Sequence, residues 1–131
     1  MLLFKPFLIE EILAGRKTET RWLWPHGARV TLYSVQSVQP DLRSNFQKAP
    51  PACHVKIGYL YQELLGEITP ESVRKEGFAD GNVPGFIKGW KGINAKKAPS
   101  EITLESWNPE VWVVGFALYV QPKPIVFQKL I

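Results

Sequence analysis

Apolar residues recur at helical spacing near the start of the chain. The four residues that do so are Phe7, Leu8, Ile12 and Leu13. Pro6 before them suits the first turn of a helix, and Gly15 stands where a left-handed helix end commonly lies. The pattern predicts a helix over about 6–14, preceded by a short apolar strand at Leu2–Phe4.

Three later segments have the composition of strands. They are Arg29 to Ser34, His54 to Tyr61 and Val111 to Val120. The last is almost wholly apolar, which is typical of a strand buried on both faces. Residues 36–53 are polar and contain three prolines, so we predict a long loop there.

Two short helices are predicted in the second half of the chain. Thr69 is a suitable N-cap before Pro70, and Gly77 is a suitable end. A second helix is predicted from Pro84 to about Gly92, although its glycines lower helix propensity. Because strands and short helices follow one another without regular βαβ alternation, the pattern predicts one α+β domain over 1–131, built around a small β-barrel.

Composition limits the class of protein. The 131 residues are 45% apolar and 21% charged, which is ordinary for a globular domain. The single cysteine, Cys53, excludes an internal disulfide. The longest apolar run, Val111 to Val120, has ten residues, about half the length of a membrane helix. With no secretion signal at the N-terminus, we expect a cytoplasmic protein with no membrane partner.

The charge distribution points to an anionic partner. The net charge is +4, and residues 82–100 contain no acid. The lysines in that stretch are Lys88, Lys91, Lys96 and Lys97. Residues 63–80, in contrast, are rich in carboxylates. We therefore expect a basic surface beside an acidic element, with RNA as one candidate partner.

The segment Gly15–Arg21 concentrates reactive groups, with four ionisable side chains and two hydroxyls in seven residues. In an extended strand Lys17 and Thr20 point to opposite faces, but in a turn at a helix exit they can converge. A lysine beside a threonine hydroxyl is one route to an activated nucleophile, provided that burial lowers the pKa of the amine toward neutrality. The alternative is a solvated charged turn.

Glu76 lies on the same predicted helix face as Val73, three residues before it. It also lies in the last turn, where a negative charge opposes the helix dipole by about 0.3–1 kcal/mol. A carboxylate kept at such a position indicates a cationic partner, such as Lys17 or Arg21. The alternative is a surface glutamate paired with a neighbouring lysine.

Aromatic residues alternate directly after Arg21, so a strand would place them on one face. They are Trp22, Trp24 and His26. Such a face beside a cation can serve as a platform on which bases stack. Trp90, flanked by Lys88 and Lys91, is a second candidate patch. The alternative is that these tryptophans belong to the core.

Other kinds of chemistry find little support in the sequence. Cys53 and His54 are adjacent, but no third group is placed to orient the histidine. Two histidines and one cysteine do not form a metal-ligand spacing, so we expect no metal. The sequence contains neither a phosphate-binding loop nor a dinucleotide fingerprint, so we expect no cofactor.

Four segments in order resemble the ASCH domains, a branch of the PUA-like superfamily. The segment Ile12–Arg21 resembles their signature, and Ile68–Phe78 resembles a helix that ends in Glu-Gly-Phe. Phe86–Trp90 is similar to the helix that commonly follows, and Asn108–Phe116 is similar to the closing strand. The resemblance covers about residues 3–120.

The resemblance implies a β-barrel surrounded by short helices, with a cleft where the lysine turn meets the Glu76 helix. ASCH domains are generally taken to bind RNA, and nuclease activity has been ascribed to relatives. Some small members are amidohydrolases that remove an acyl group from N4-acetylcytidine with a lysine, a threonine and a glutamate. By motif position these roles fall on Lys17, Thr20 and Glu76. Substrate contacts are expected from Arg21, Trp22, Trp24, Lys88, Trp90 and Lys91.

Three hypotheses about function therefore remain open. The first is binding of RNA or a modified nucleoside through a cationic cleft. The second is metal-free hydrolysis of an acylated nucleoside. The third is a non-catalytic regulatory or interaction domain, because Trp22 and Ala28 replace residues common in the family. The sequence does not set the oligomeric state.

Overall fold

The computed structural model describes residues 1–41 and 50–120, which form five strands and three α-helices. In chain order they are β1 (Leu2–Phe4), α1 (Pro6–Leu13), β2 (Glu19–Trp22), β3 (Val35–Pro40), β4 (Cys53–Leu64), α2 (Pro70–Lys75), α3 (Val83–Ile93) and β5 (Glu110–Tyr119). Two short 3₁₀ helices, Leu65–Glu67 and Ala95–Lys97, follow β4 and α3. The predicted α+β class is confirmed.

The five strands form one mixed sheet in the order β1-β3-β4-β5-β2. β1 is parallel to β3, and the other neighbouring strands are antiparallel. A bulge in β4 between Ile57 and Tyr59 shifts its register against β5. The long β4–β5 pair forms the centre of the sheet, and the two shortest strands form its edges.

The sheet is not closed into a barrel, so that part of the prediction is wrong. Within the described ranges β1 pairs with β3 alone and β2 with β5 alone, so no backbone ladder joins the two edges. Side chains meet there instead: the ring of Phe4 in β1 lies 5.6 Å from that of Trp22 in β2 and 6.1 Å from that of Phe116. Edge strands of three and four residues leave little backbone for such a ladder.

Local sequence signals account for the helix ends. Gly15 follows α1 with φ +78°, and Gly77 follows α2 with φ +106°, both in the region that favours glycine. Thr69 caps α2 by accepting a hydrogen bond from the Ser72 N–H at 3.2 Å. Asn82 caps α3 in the same way. All three predicted helices are confirmed.

The strands predicted at Leu2–Phe4, at 54–61 and at 111–120 are confirmed as β1, β4 and β5. The strand predicted at 29–34 is wrong. Residues 29–34 form bends and turns, and the Ser34 hydroxyl donates to the Thr31 carbonyl oxygen at 2.6 Å. Part of the predicted loop, residues 36–40, belongs to β3, whose Val38 is fully buried between β1 and β4. Pairing with distant strands determines this element, not local propensity. Of the rest of the predicted loop, residues 42–49 lie outside the described part of the chain, and Cys53 begins β4.

The apolar residues form two clusters that share β5. The first lies between the sheet and α1 and contains Val114 and Phe116. The second lies near α3 and joins Val111 to Leu65, Trp90 and Trp107. The adjacent residues Val113 and Val114 point to opposite faces and are both fully buried, as predicted for this strand. In the described parts of the chain, each helix is too short or too polar to cross a bilayer.

Candidate functional site

The turn after α1 directs Lys17 into the molecule. The backbone N–H groups of Arg16 and Lys17 both donate to the Glu11 carbonyl oxygen, at 2.9 and 3.0 Å. The next N–H, of Thr18, donates to the carbonyl oxygen of Lys75 at the end of α2, at 2.8 Å. This bond fixes the turn against α2, and the Lys17 side chain is only 2% exposed.

The Lys17 amine has three acceptors around it. Its Nζ lies 2.8 Å from the Glu19 carbonyl oxygen, 2.9 Å from the Glu76 carbonyl oxygen and 3.1 Å from Glu76 Oε1. An ammonium group has three N–H donors and no acceptor, so this arrangement matches the charged amine. Burial lowers the pKa of Lys17, and the Glu76 carboxylate acts in the opposite direction.

Arg21 joins three carboxylates from different parts of the fold. Its Nη1 donates to Glu19 Oε1 at 2.6 Å and to Glu76 Oε2 at 3.0 Å. Its Nε and Nη2 donate to Glu63 Oε1 at 2.9 and 2.6 Å. Burial acts to lower the pKa of Arg21, but the carboxylates outweigh it and raise that pKa above its ordinary value.

A row of residues across three strands supports this arrangement. Glu19 in β2 lies opposite Gly115 in β5, which lies opposite Tyr59 in β4. The Tyr59 ring lies directly over Gly115, where an added Cβ would overlap it. Its hydroxyl thereby reaches Glu19 and donates to Oε2. Burial and the Glu19 carboxylate raise the pKa of Tyr59 above its ordinary value.

We call Lys17, Glu19, Arg21, Glu63 and Glu76 the buried ionic cluster. The convergence of Lys17, Arg21 and Glu76 was predicted from the sequence. Three further residues of the site were not predicted: Glu19, Glu63 and Tyr59. Glu19 had a usable signal, because alternate residues of one strand share a face. The other two depend on the register between strands distant in sequence.

A cavity of about 430 Å³ lies beside the cluster. Its lining includes four buried polar residues, Lys17, Thr20, Arg21 and Glu76, which we call the polar end. Its aromatic lining residues are Phe4, Trp22, Phe78, Phe86 and Trp90. Thr20 is 6% exposed, and its hydroxyl makes no hydrogen bond to any residue that the structure describes. This cavity is the candidate functional site.

Formal charges show that the cavity is not the cationic cleft expected from the sequence. The buried ionic cluster has two cations and three carboxylates. Elsewhere in the described lining, Lys5 is accompanied by Asp41 and Asp80. Because each buried cation is paired, the cluster presents hydrogen-bonding groups and no net positive charge.

The other predicted substrate contacts are only partly in the cavity. Trp90 is 7% exposed and donates from Nε1 to the Arg21 carbonyl oxygen at 3.1 Å, so it is a wall and core residue and not an exposed patch. Trp24 stacks on Trp22 at 5.1 Å between ring centroids but does not line the cavity. Lys88 and Lys91 also lie outside its lining.

Solved structures that resemble this fold include two bacterial proteins. The ASCH domain from Lactobacillus crispatus aligns with a TM-score of 0.67 and 13% identity, over 86% of this chain and 70% of that one. A protein of the DUF984 family from Enterococcus faecalis aligns with a TM-score of 0.63 and 12% identity, over 86% of this chain and 67% of that one. No protein-family model and no curated protein matches the sequence. The likeness shows an ASCH-like fold and does not bear on activity.

Replacement of Glu76 by alanine is expected to destabilise the protein strongly. The change leaves two buried cations without one of their carboxylates, and breaking a buried ion pair costs about 3–5 kcal/mol. Urea denaturation of Glu76→Ala measures the free energy of unfolding. Glu71→Ala is the control, because Glu71 lies on the same helix but is 78% exposed. Equal midpoints for the two variants would contradict the structural role of Glu76.

Removal of the Tyr59 hydroxyl is expected to destabilise the protein by about 1–2 kcal/mol, because it deletes a hydrogen bond to the buried carboxylate of Glu19. Tyr59→Phe keeps the ring over Gly115, so packing is retained. Tyr61→Phe is the matched control, because its ring stacks on Tyr59 at 6.0 Å and its hydroxyl has no hydrogen bond within residues 1–41 and 50–120. Urea denaturation should distinguish the two variants; the same loss in both would refute the role of the Tyr59–Glu19 bond.

Proposed function

We propose that this protein binds a planar ligand of nucleoside size in the cavity, either a modified nucleoside or an unpaired RNA base. The observation that carries the proposal is that one cavity combines aromatic walls with a buried hydrogen-bonding end. Its volume of about 430 Å³ falls within the range of small-molecule sites, roughly 300–1,000 Å³.

The walls suit the flat faces of a base. Trp22 and Phe78 line the cavity from separate parts of the chain, and Phe78 is 38% exposed. Stacking of a base on an aromatic side chain contributes about 1–3 kcal/mol and tolerates different bases. The aromatic walls therefore supply affinity, and the polar end supplies orientation.

The polar end is costly to bury, which supports a role beyond stability. Buried ion pairs are weak evidence of stabilisation, because desolvation offsets much of their attraction. The Lys17 and Arg21 side chains are at most 2% exposed, yet both lie at a cavity wall. A fixed set of donors and acceptors at such a place can recognise the edge of a heterocycle.

The charge balance favours a neutral base over a phosphate inside the cavity. A phosphate at Lys17 or Arg21 would approach the carboxylate of Glu76, and like charges repel. For an RNA ligand, backbone phosphates would lie outside the cavity. Lys88, which is exposed on α3, is one side chain suited to contact them.

Binding is tested by calorimetric titration with cytidine, N4-acetylcytidine and a short single-stranded RNA. We expect Phe78→Ala to weaken binding about 5- to 150-fold, the loss of one stacking contact. Phe7→Ala is the control, because Phe7 is 57% exposed and lies outside the cavity lining. Affinity for RNA should fall steeply with salt, whereas affinity for a nucleoside should not. Binding of none of these compounds would refute the proposal.

Thr20 favours a second candidate function, metal-free hydrolysis of an N-acylated nucleoside such as N4-acetylcytidine. Thr20 lines the cavity and is 6% exposed, and its hydroxyl makes no hydrogen bond to a described residue. Lys17 and Glu76 contribute to the same polar end. These are the residue types that a threonine nucleophile requires: a base for its proton and a group that orients the base.

In this mechanism Thr20 Oγ1 attacks the amide carbonyl carbon while its proton passes to a neutral Lys17 amine. The C–N bond then breaks as the exocyclic nitrogen of the nucleoside takes up a proton, and water hydrolyses the resulting threonine ester to acetate. Lys17 must first lose a proton, because its ammonium form has no lone pair with which to accept one. Burial assists that loss by lowering the pKa of Lys17. Glu76 holds the amine in position.

Hydrolysis is tested by measuring acetate release from N4-acetylcytidine. We expect Thr20→Val to abolish release by removing the hydroxyl while keeping the side-chain volume, and Thr18→Val to retain it. The rate should rise with pH as the Lys17 ammonium loses its proton, and the rise should occur below the ordinary pKa of lysine because burial lowers that pKa. If the protein binds N4-acetylcytidine but releases no acetate, the hydrolase hypothesis is refuted, and the binding and regulatory hypotheses stay.

A further inference from the structure

Helix α3 contains three glycines, which is unusual for an element of 11 residues. They are Gly85, Gly89 and Gly92. A glycine inside a helix destabilises it relative to alanine, because the backbone loses more conformational freedom on folding. Each glycine therefore calls for a reason, either in the packing of the helix or in the space beside it.

A contact within the molecule explains the glycine at position 85. A Cβ at this position would lie 2.7 Å from the Asn82 side-chain nitrogen. The Asn82 side chain caps the helix by accepting a hydrogen bond from the Gly85 N–H at 3.1 Å. The cap and a side chain at position 85 compete for the same space, so glycine preserves the cap.

No such contact explains the glycine at position 89. A Cβ at this position would have no atom within 4 Å, and the residue is not among the glycines with positive φ. Gly89 nevertheless lines the cavity, on the same helix as the lining residues Phe86 and Trp90. Gly89 is exposed, and its helical neighbours Gly85, Phe86 and Ile93 also line the cavity, so the bare backbone leaves open space on the cavity side of α3.

A second observation points to a ligand in the same cavity. Thr20 is only 6% exposed, and its hydroxyl has no hydrogen-bond partner among the described residues. Its oxygen is not among the described side-chain atoms that are fully buried without a partner, so we take it to be available to hydrogen-bond a molecule that enters the cavity. Gly89 and Thr20 come from different elements, α3 and β2, and line one space.

We infer that Gly89 determines the size of the ligand, because its bare backbone lets a planar ring lie against α3. This inference rests on the proposed function in taking the ligand to be a planar heterocycle. Apolar residues of β1 and α1, including Phe4 and Leu8, also line the cavity. A side chain at position 89 would project into the volume that the ring occupies.

The test compares substitutions at Gly89 with the same substitutions at Gly92. Gly92 lies on the same helix and does not line the cavity, and a Cβ added to it would also have no atom within 4 Å. Alanine at either position should raise the melting temperature, because it improves helix propensity. The variants are therefore expected to fold, so a loss of binding can be attributed to the substituted side chain and not to unfolding.

Affinity is measured by calorimetry with cytidine, N4-acetylcytidine and a panel of plain heterocycles such as indole and quinoline. We expect Gly89→Ala to weaken binding about fivefold and Gly89→Leu about 50-fold or more, since overfilling a packed space costs progressively more. Gly92→Ala and Gly92→Leu should bind as the unsubstituted protein does. This pattern would support the inference.

The outcomes separate this inference from the proposed function. If nucleosides bind and Gly89→Leu binds them equally well, the inference is overturned and the proposed function stands. If only plain heterocycles bind and Gly89→Leu abolishes their binding, the inference stands and the nucleoside proposal fails. If the unsubstituted protein binds neither class, both are overturned.

Discussion

The guanidinium of Arg21, with no exposed side-chain surface, is the interaction on which the rest of the site depends. Its planar fork of donors contacts carboxylates from β2, β4 and the end of α2. A buried charge is tolerated only when it is paired, so these elements must meet in this arrangement. The same arrangement puts Glu76 beside Lys17 and leaves Thr20 at the cavity wall. The fold and the candidate site therefore share one electrostatic constraint.

Local signals in the sequence predicted the helices but not the whole sheet. Thr69 and Gly77 mark the ends of α2 because capping and left-handed backbone depend on a few adjacent residues. Residues 29–34 have strand-like composition but form bends and turns, and their backbone bonds to β4 are confined to Tyr33 and Ser34. Val35–Pro40 becomes a strand by pairing with β1 and β4. The open sheet was missed for a similar reason, since closure depends on whether two distant edges meet.

The candidate site, like the fold, was predicted only in part. Glu76 was predicted to seek a cationic partner because a carboxylate at a helix C-terminus is unfavourable, and Lys17 and Arg21 provide the pairing. The charge of the cleft was mispredicted, because Glu63 reaches Arg21 through a strand register that local spacing does not reveal, and the alternation that places Glu19 beside Arg21 was not used. Trp90 was misread for a related reason: its flanking lysines are exposed or half-buried, but its own ring packs inward. The roles proposed for these residues stay predictions.

The contact between Tyr59 and Gly115 couples two positions of the chain that lie far apart in sequence. Any side chain at position 115 would displace the ring, and loss of the ring would uncover the bare backbone beneath it. Substitutions at the two positions are therefore expected to occur together in evolving descendants of this chain. A relative with a small residue at the position of Tyr59 could tolerate a larger one at the position of Gly115, and such a relative would need another donor for the carboxylate of Glu19.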